Sequence, residues 1–225
     1  GALAFWALPA AAAVIIWLPQ ARAPQQHRPQ PRPFSRLLRS PLAWQVTGYM
    51  GLQSALAYIV FGWLPTILVD RGMSAVAAGL ALSVSIVVQI ASAIGSPWLS
   101  SRMRDDRLTI AALMTCTLVG LAGCLYAPVS TLWYWIILLG LGQGGTFSMA
   151  LSLLALRAPD AQSASQLSAM AQGFGYVLAA CGPLLAGLVH DLAGNWQATG
   201  VLYGVIGLMA LTLGLVAGRN KLIPA

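Results

Sequence analysis

Seven stretches of this chain, residues 1–18, 42–68, 74–97, 108–128, 132–156, 166–189 and 198–217, contain no Asp, Glu, Lys, Arg or His. A hydrocarbon core about 30 Å thick needs roughly 20 apolar residues of helix to cross it. Each run is of that order. A buried helix in a soluble protein can be equally apolar, but seven in succession, separated by short polar turns, leave no surface for water. The chain is 58% hydrophobic and only 8% charged, with a mean hydropathy of +0.77, whereas a soluble domain carries about 25% charged residues. The reading is an all-α membrane protein.

The cations fix the expected orientation, because cytoplasmic loops are enriched in Lys and Arg. Arg22, Arg28, Arg32, Arg36, Arg39, Arg102, Arg104, Arg107, Arg157, Arg219 and Lys221 fall in alternate gaps between runs, and Arg71 stands alone on the opposite side. This places the linker and the C-terminus in the cytoplasm of a multi-pass protein of the bacterial cytoplasmic (inner) membrane. The net charge of +7 is therefore a topology signal, and nucleic acid is not an expected partner.

Residue 1 is Gly, and no charged segment or cleavage site precedes the first run, unlike a signal peptide. One run, a long linker and six closely connected runs are the layout expected of a two-halved transporter cut before its central loop, with a missing N-terminal half as partner. The expected divisions are a transmembrane helix at 1–18, a basic linker at 19–41, a six-helix bundle at 42–217 and a tail at 218–225. The linker is rich in Pro, Gln and Arg, has no acid and carries His27. It reads as an extended or disordered tether whose arginines face anionic lipid.

The segment LGLGQGGTFSMALSLLAL (139–156) contains Gly140, Gly142 and Gly145, the G-x-G-x-x-G spacing of dinucleotide-binding folds, with Asp160 downstream. That fingerprint requires a strand before the glycines and a second strand carrying the acid. Only 14 residues separate Gly145 from Asp160, and most continue the same apolar run. Lipid supplies another reason for glycine: helices in a bilayer pack closely through small residues, and Gly140 with Gly144 forms a small-xxx-small pair. Gly173, Gly182 and Gly187 are expected to act similarly. Gly182 and Pro183 together weaken their helix, as a hinge or as a fixed kink.

No cofactor or metal is expected. Cys116, Cys124 and Cys181 lie inside runs without metal or redox spacing. Intramembrane catalysis needs a nucleophile with an acid-base group or a metal ligand at depth, so an enzyme is not expected. A membrane-embedded enzyme subunit and a structural membrane protein without a solute path remain the alternatives.

Polar residues at membrane depth are costly and face a bundle interior or a water-filled path. Gln53 and Gln143 fall near the centres of their runs, as does Tyr176. Tyr49 lies four residues from Gln53, Phe147 four from Gln143, and Ser168, Gln172 and Tyr176 follow at steps of four; Ser54 with Tyr58 and Ser85 with Gln89 keep the same spacing, and Ser92 and Ser96 follow. Each set occupies one helix face. Such a stripe fits either interhelical hydrogen bonding or contact with a solute. The candidate substrate-binding residues are Gln53, Tyr49, Gln143, Phe147, Gln172 and Tyr176. Amides and phenols donate and accept hydrogen bonds without charge, so the expected ligand is a small polar solute, neutral or a weakly hydrated anion. The nearest groups for proton coupling, His190 and Asp191, precede a helix stop at Leu192–Gly194. They read as a structural terminus, with any coupling in the missing half.

SPLAWQVTGYMGLQS (40–54), GWLPTIL (62–68), LGLGQGGTF (139–147) and LSAMAQGFGYVLAACGPLLAGLVHDLAGNW (167–196) resemble the cyanate and 2-nitroimidazole transporter family of the major facilitator superfamily. The resemblance implies twelve spans in two halves, this chain being the six-helix C-terminal half plus the preceding helix. It also implies that the spans bearing Gln53 and Gln143 line a central cavity flanked by the span bearing Gln172 and Tyr176. The superfamily signature Gly-x-x-x-Asp-Arg-x-Gly-Arg-Arg is only partly kept in GSPWLSSRMRDDR (95–107). Arg102, Arg104, Asp105 and Asp106 are accordingly expected to anchor the cytoplasmic side and cap a helix rather than form a charge latch.

Overall fold

The computed structural model describes residues 7–21, 34–103 and 105–223. They fall into two units, residues 7–21 in one and the residues from 34 onward in the other. In the first, helix α1 (Ala7–Ala21) has 15 residues. At about 1.5 Å rise per residue it is shorter than the hydrocarbon core, but residues 1–6 of the expected span lie outside the described residues. Most of the linker, including His27, also lies outside them. Its C-terminal end corrects the expectation of an extended tether, because Phe34–Leu38 form a short helix, α2, whose Leu37 is buried.

The second unit continues with six helices long and apolar enough to cross a membrane. These are α3 (Pro41–Asp70), α4 (Ala75–Arg102), α5 (Asp106–Tyr126), α6 (Leu132–Leu156, entered through a 3₁₀ turn at Val129–Thr131), α7 (Ala161–Ala193) and α8 (Thr199–Ala217). Their starts follow capping chemistry. Ser40 Oγ accepts from the Ala43 amide at 3.4 Å, with Pro41 in the first turn; Ser74 accepts from Ala77 at 3.2 Å and Asp160 from Ser163 at 2.8 Å. Helix α7 stops at Gly194, whose left-handed φ of +68° a β-carbon would strain. Gly72 (φ +98°) likewise turns the chain from α3 to α4.

Helix α3 packs most extensively on α7 and also meets α8, α4 and α6, while α6 is held between α4 and α5, and α5 closes on α8. Glycines set the close approaches. A β-carbon at Gly140 would lie 2.7 Å from Ser85 O, and one at Gly144 would collide with Gln89 O, so both meet the α4 backbone. On another side of α6, Gly142 meets Leu113 O and Thr117 of α5, and Gly145 meets the Leu113 side chain. The G-x-G-x-x-G segment thus lies within one helix.

At the α3–α7 contact a Gly51 β-carbon would stand 2.8 Å from Gly175 O, and one at Gly182 2.9 Å from Ala55 O. Gly187 presses on the Trp63 ring. Gly173 departs from expectation: nothing lies within 4 Å of its β-carbon position, because it is half a turn out of phase with Gly182. Helix α7 runs unbroken through Pro183, whose carbonyl accepts from Trp63 Nε1 at 2.9 Å. Burial is uneven. The apolar windows of α3 and α6 are 56% and 61% buried, those of α4 and α7 only 17%.

Candidate functional site

The expected residues divide between a closed seam and a more open face. Tyr49, on α3, is fully buried, and its hydroxyl donates to Thr146 O of α6 at 3.1 Å. Room for its ring comes from Gly214 of α8, where a β-carbon would lie 2.9 Å from the phenyl carbons. The Thr146 hydroxyl donates to Gln143 O at 3.1 Å. Gln53, also buried, turns its amide along its own helix, donating to Ser54 Oγ at 2.8 Å and Met50 O at 3.2 Å.

Gln143 is the joint of the seam. Its Nε2 donates to Leu56 O on α3 at 3.3 Å, and its Oε1 accepts from Gln89 Nε2 on α4 at 3.4 Å. Gln89 also reaches Ser85 Oγ at 3.3 Å. One glutamine therefore links three helices through uncharged hydrogen bonds, all longer than the common 2.9–3.0 Å. The α4 serines continue the contact: Ser92 donates to Leu141 O at 2.6 Å, Ser148 of α6 returns a bond to Ala93 O at 2.7 Å, and Ser96 is buried without a partner.

Gln172 and Tyr176 lie on α7, outside that seam. Gln172 is half-buried and donates to Ser168 Oγ at 2.7 Å, one turn back. Tyr176, also half-buried, faces Tyr58 of α3 with ring centroids 6.3 Å apart. Phe147 is exposed. The structure thus joins Tyr49 and Gln143 through Thr146, sets Gln53 one turn from Leu56 on the same helix, and connects α7 to α3 through Tyr58. Gln89 and Tyr58 were visible in the sequence only as members of four-residue pairs. The spacing showed which residues share a helix face but not what that face meets.

At the end of the bundle carrying most of the cations, the structure corrects the expectation for Asp106. Arg157, the C-cap of α6, is 3% exposed and donates to Asp106 Oδ2 at 2.7 Å, Ala217 O at 2.8 Å and Gly218 O at 3.1 Å. Ser100 Oγ donates to the other Asp106 oxygen at 2.6 Å, and the Ile223 amide returns to Arg157 O at 2.9 Å. The ends of α4, α5, α6 and α8 are thereby latched around one guanidinium. Asp105 does cap α5, accepting from the Arg107 amide at 3.0 Å. The Arg107 guanidinium bonded to it holds its carboxyl below the ordinary aspartate range. Arg102 stacks over Trp98, and Arg104 lies outside the described residues. A cavity of about 790 Å³ opens here, lined by Ser100, Asp106, Arg107, Ser152 and Arg219 among others.

At the opposite end, His190 stacks on Trp196 with centroids 3.9 Å apart, Trp196 Nε1 donates to Asp70 at 2.7 Å, and the His190 carbonyl accepts from the capping Gly194 amide at 2.8 Å. Arg71 donates to the end carbonyls Cys124 O and Ala127 O of α5. Cys116, Cys124 and Cys181 are free, and no group of metal-ligating side chains occurs among the described residues.

Six helices of membrane-crossing length, stitched at mid-depth by uncharged side chains and closed at one end by a buried ion pair, define a polytopic α-helical membrane protein. The family model of the Major Facilitator Superfamily matches residues 1–180. The chain is 39% identical over 218 residues to the 2-nitroimidazole transporter of Escherichia coli (strain K12), covering 93% of this chain and 54% of that protein. It is 37% identical to the uncharacterized transporter YycB of Bacillus subtilis (strain 168), over 99% of this chain and 56% of that one. To the cyanate transport protein CynX of Escherichia coli (strain K12) it is 30% identical, over 94% and 56%. The chain belongs to the Major Facilitator Superfamily, in the family of these transporters. It spans about half the length of the curated relatives it matches.

Proposed function

We propose that this chain is the C-terminal half of a secondary active transporter that moves a small polar solute or weakly hydrated anion, such as cyanate or a nitroimidazole-like compound, by alternating access. Residues 1–18 are the last helix of the N-terminal half, 19–41 the cytoplasmic linker, 42–217 the six-helix half and 218–225 a cytoplasmic tail. The protein sits in the bacterial cytoplasmic membrane with its C-terminus inside, and the barely covered faces of α4 and α7 receive the missing half.

The observation that carries this reading is the Gln89–Gln143–Leu56 chain across α4, α6 and α3. Uncharged donors and acceptors at mid-depth replace part of the hydration of a neutral or weakly hydrated solute, which forfeits little on leaving water; a strongly charged solute needs an opposite charge to offset desolvation. We assign Gln53, Gln143, Gln172 and Tyr176, with Tyr49 and Phe147, to this half's share of the site: Tyr49, Gln53 and Gln143 within the seam, Gln172 and Tyr176 on the more open α7 face, and Phe147 exposed on α6.

The test is uptake of labelled cyanate and 2-nitroimidazole by the protein expressed from its complete reading frame, with and without an imposed proton gradient. Gln143→Ala is expected to cut uptake of the accepted solute at least about tenfold, equivalent to one lost buried hydrogen bond of about 1.4 kcal/mol. Uptake that survives alanine at both Gln53 and Gln143 refutes the site. Transport of neither solute refutes the substrate class.

A further inference from the structure

We infer that Tyr58 and Tyr176 form an aromatic jaw that selects planar, π-conjugated solutes over linear ones, with Tyr58 as a specificity-determining residue. This rests on the transporter reading above. Tyr58 lies three residues from the middle of α3 (Pro41–Asp70), and Tyr176 one residue from the middle of α7 (Ala161–Ala193). Their rings stand 6.3 Å apart at an interplanar angle of 48°, Tyr58 is 37% exposed and Tyr176 half-buried.

Neither common placement of a membrane tyrosine accounts for the pair. Lipid-facing tyrosines collect at the headgroup level, where the hydroxyl is wet, and this pair sits at mid-depth. The buried Tyr49 bonds the Thr146 carbonyl, and the buried Tyr203, whose hydroxyl has no partner among the described residues, is enclosed by packing; Tyr58 and Tyr176 are neither bonded nor enclosed. Among the described residues no bond ties the hydroxyl of Tyr58 or Tyr176. Two open rings with free hydroxyls at the centre of the membrane fit the wall of a water-containing path.

Their geometry fits a ring-shaped guest. At 6.3 Å the two tyrosine rings are themselves within the range of aromatic contact, about 4.5–7 Å, so together they offer one continuous aromatic surface for a guest to lie against. Tyr58, at 37% exposed, keeps open ring surface for stacking beside the half-buried Tyr176. Gln172, one turn from Tyr176 on α7, supplies an amide for a nitro or ring-nitrogen acceptor. A planar heteroaromatic uses both the ring faces and the polar groups, whereas a linear triatomic anion covers little of either ring.

The test measures equilibrium binding of radiolabelled 2-nitroimidazole and of radiolabelled cyanate to the purified protein from its complete reading frame, comparing wild type, Tyr58→Phe, Tyr58→Leu and Tyr176→Leu. Tyr58→Leu is expected to weaken nitroimidazole binding about 3- to 10-fold, the range of one aromatic contact. Tyr58→Phe should keep it within about 2-fold, and cyanate binding should stay unchanged in the two Tyr58 variants, showing that they are folded. Unchanged nitroimidazole binding in both leucine variants overturns the jaw, and so does a parallel loss of both probes in Tyr58→Leu. If the wild type binds nitroimidazole but not cyanate, equal losses in the Phe and Leu variants overturn it. Binding of neither probe by the wild type overturns the substrate class of the proposed function, and the jaw with it.

Discussion

Replacing Arg157 with Met keeps most of the buried stem and removes the guanidinium, and the structure sets what that costs. Three hydrogen bonds disappear: one to Asp106 at 2.7 Å and two to the terminal carbonyls of α8 at 2.8 and 3.1 Å. Breaking a buried ion pair by removing one partner costs about 3–5 kcal/mol. Asp106 is 20% exposed and keeps Ser100, so water recovers part of that loss. The expected destabilisation is about 2–4 kcal/mol. Reversible unfolding in mixed SDS and maltoside micelles, followed by tryptophan fluorescence, measures it.

A double-mutant cycle separates the pair from the carbonyl contacts. Asp106→Asn keeps an acceptor for Ser100 and removes the charge, and its coupling with Arg157→Met is expected at about 1–3 kcal/mol. Lysine at 157 restores the charge but not the forked donors, so it should recover less than half of the loss. An Arg157→Met protein within about 0.5 kcal/mol of wild type, or a cycle that is additive within that margin, refutes the latch.

Two further outcomes use the same unfolding assay. Gly144→Ala forces its new methyl into Gln89 O of α4 and should cost about 1–3 kcal/mol, whereas Gly173→Ala meets nothing within 4 Å and should be neutral or gain up to about 1 kcal/mol from helix propensity. Equal effects at the two glycines would refute the packing account. Asp105, whose carboxyl is depressed by its Arg107 hydrogen bond, contributes stability that is fully present above the ordinary aspartate pKa of about 3.9 and is lost as pH falls through the lower folded value. Wild type should therefore lose stability at the acid end of a pH series in a way that Asp105→Asn does not.

The helices were legible because the constraint behind them is one-dimensional: an uninterrupted apolar run crosses the hydrocarbon or it does not. Their ends were less so. Helix α7 begins at Ala161 and finishes at Ala193, beyond the apolar run 166–189, because polar residues extend a helix freely once it has left the lipid. There the caps Asp160 and Gly194 decide the limits. The polar face of each span could be read from four-residue spacing, but spacing carries no information about the neighbour. Gln143 could not be seen to reach two helices, nor Gln53 to turn along its own. The Asp106–Arg157 pair joins residues 51 apart in sequence and left no local signal at all. Gly173 differs in phase: Gly175 and Gly182, seven residues apart, share the α3-facing side, and Gly173 does not.

The glycines of α6 and the amide between them belong to one arrangement. Gly140 and Gly144 bring α4 against α6 backbone to backbone, Gly142 meets the α5 backbone in the same way, and Gly145 makes room for the Leu113 side chain of α5. A helix this thin keeps its neighbours within reach of a single glutamine. With bulkier residues in those places α4 would stand farther off, and the 3.4 Å bond from Gln89 to Gln143 would open, leaving an amide unsatisfied in a low-dielectric interior at about 1–3 kcal/mol. Close packing alone would be met by any small residues at 140 and 144. What ties the glycines to the polar site is that Gln143 lies directly between Gly142 and Gly144, so the tolerance for substitution at 144 should be set by the amide's reach as much as by volume.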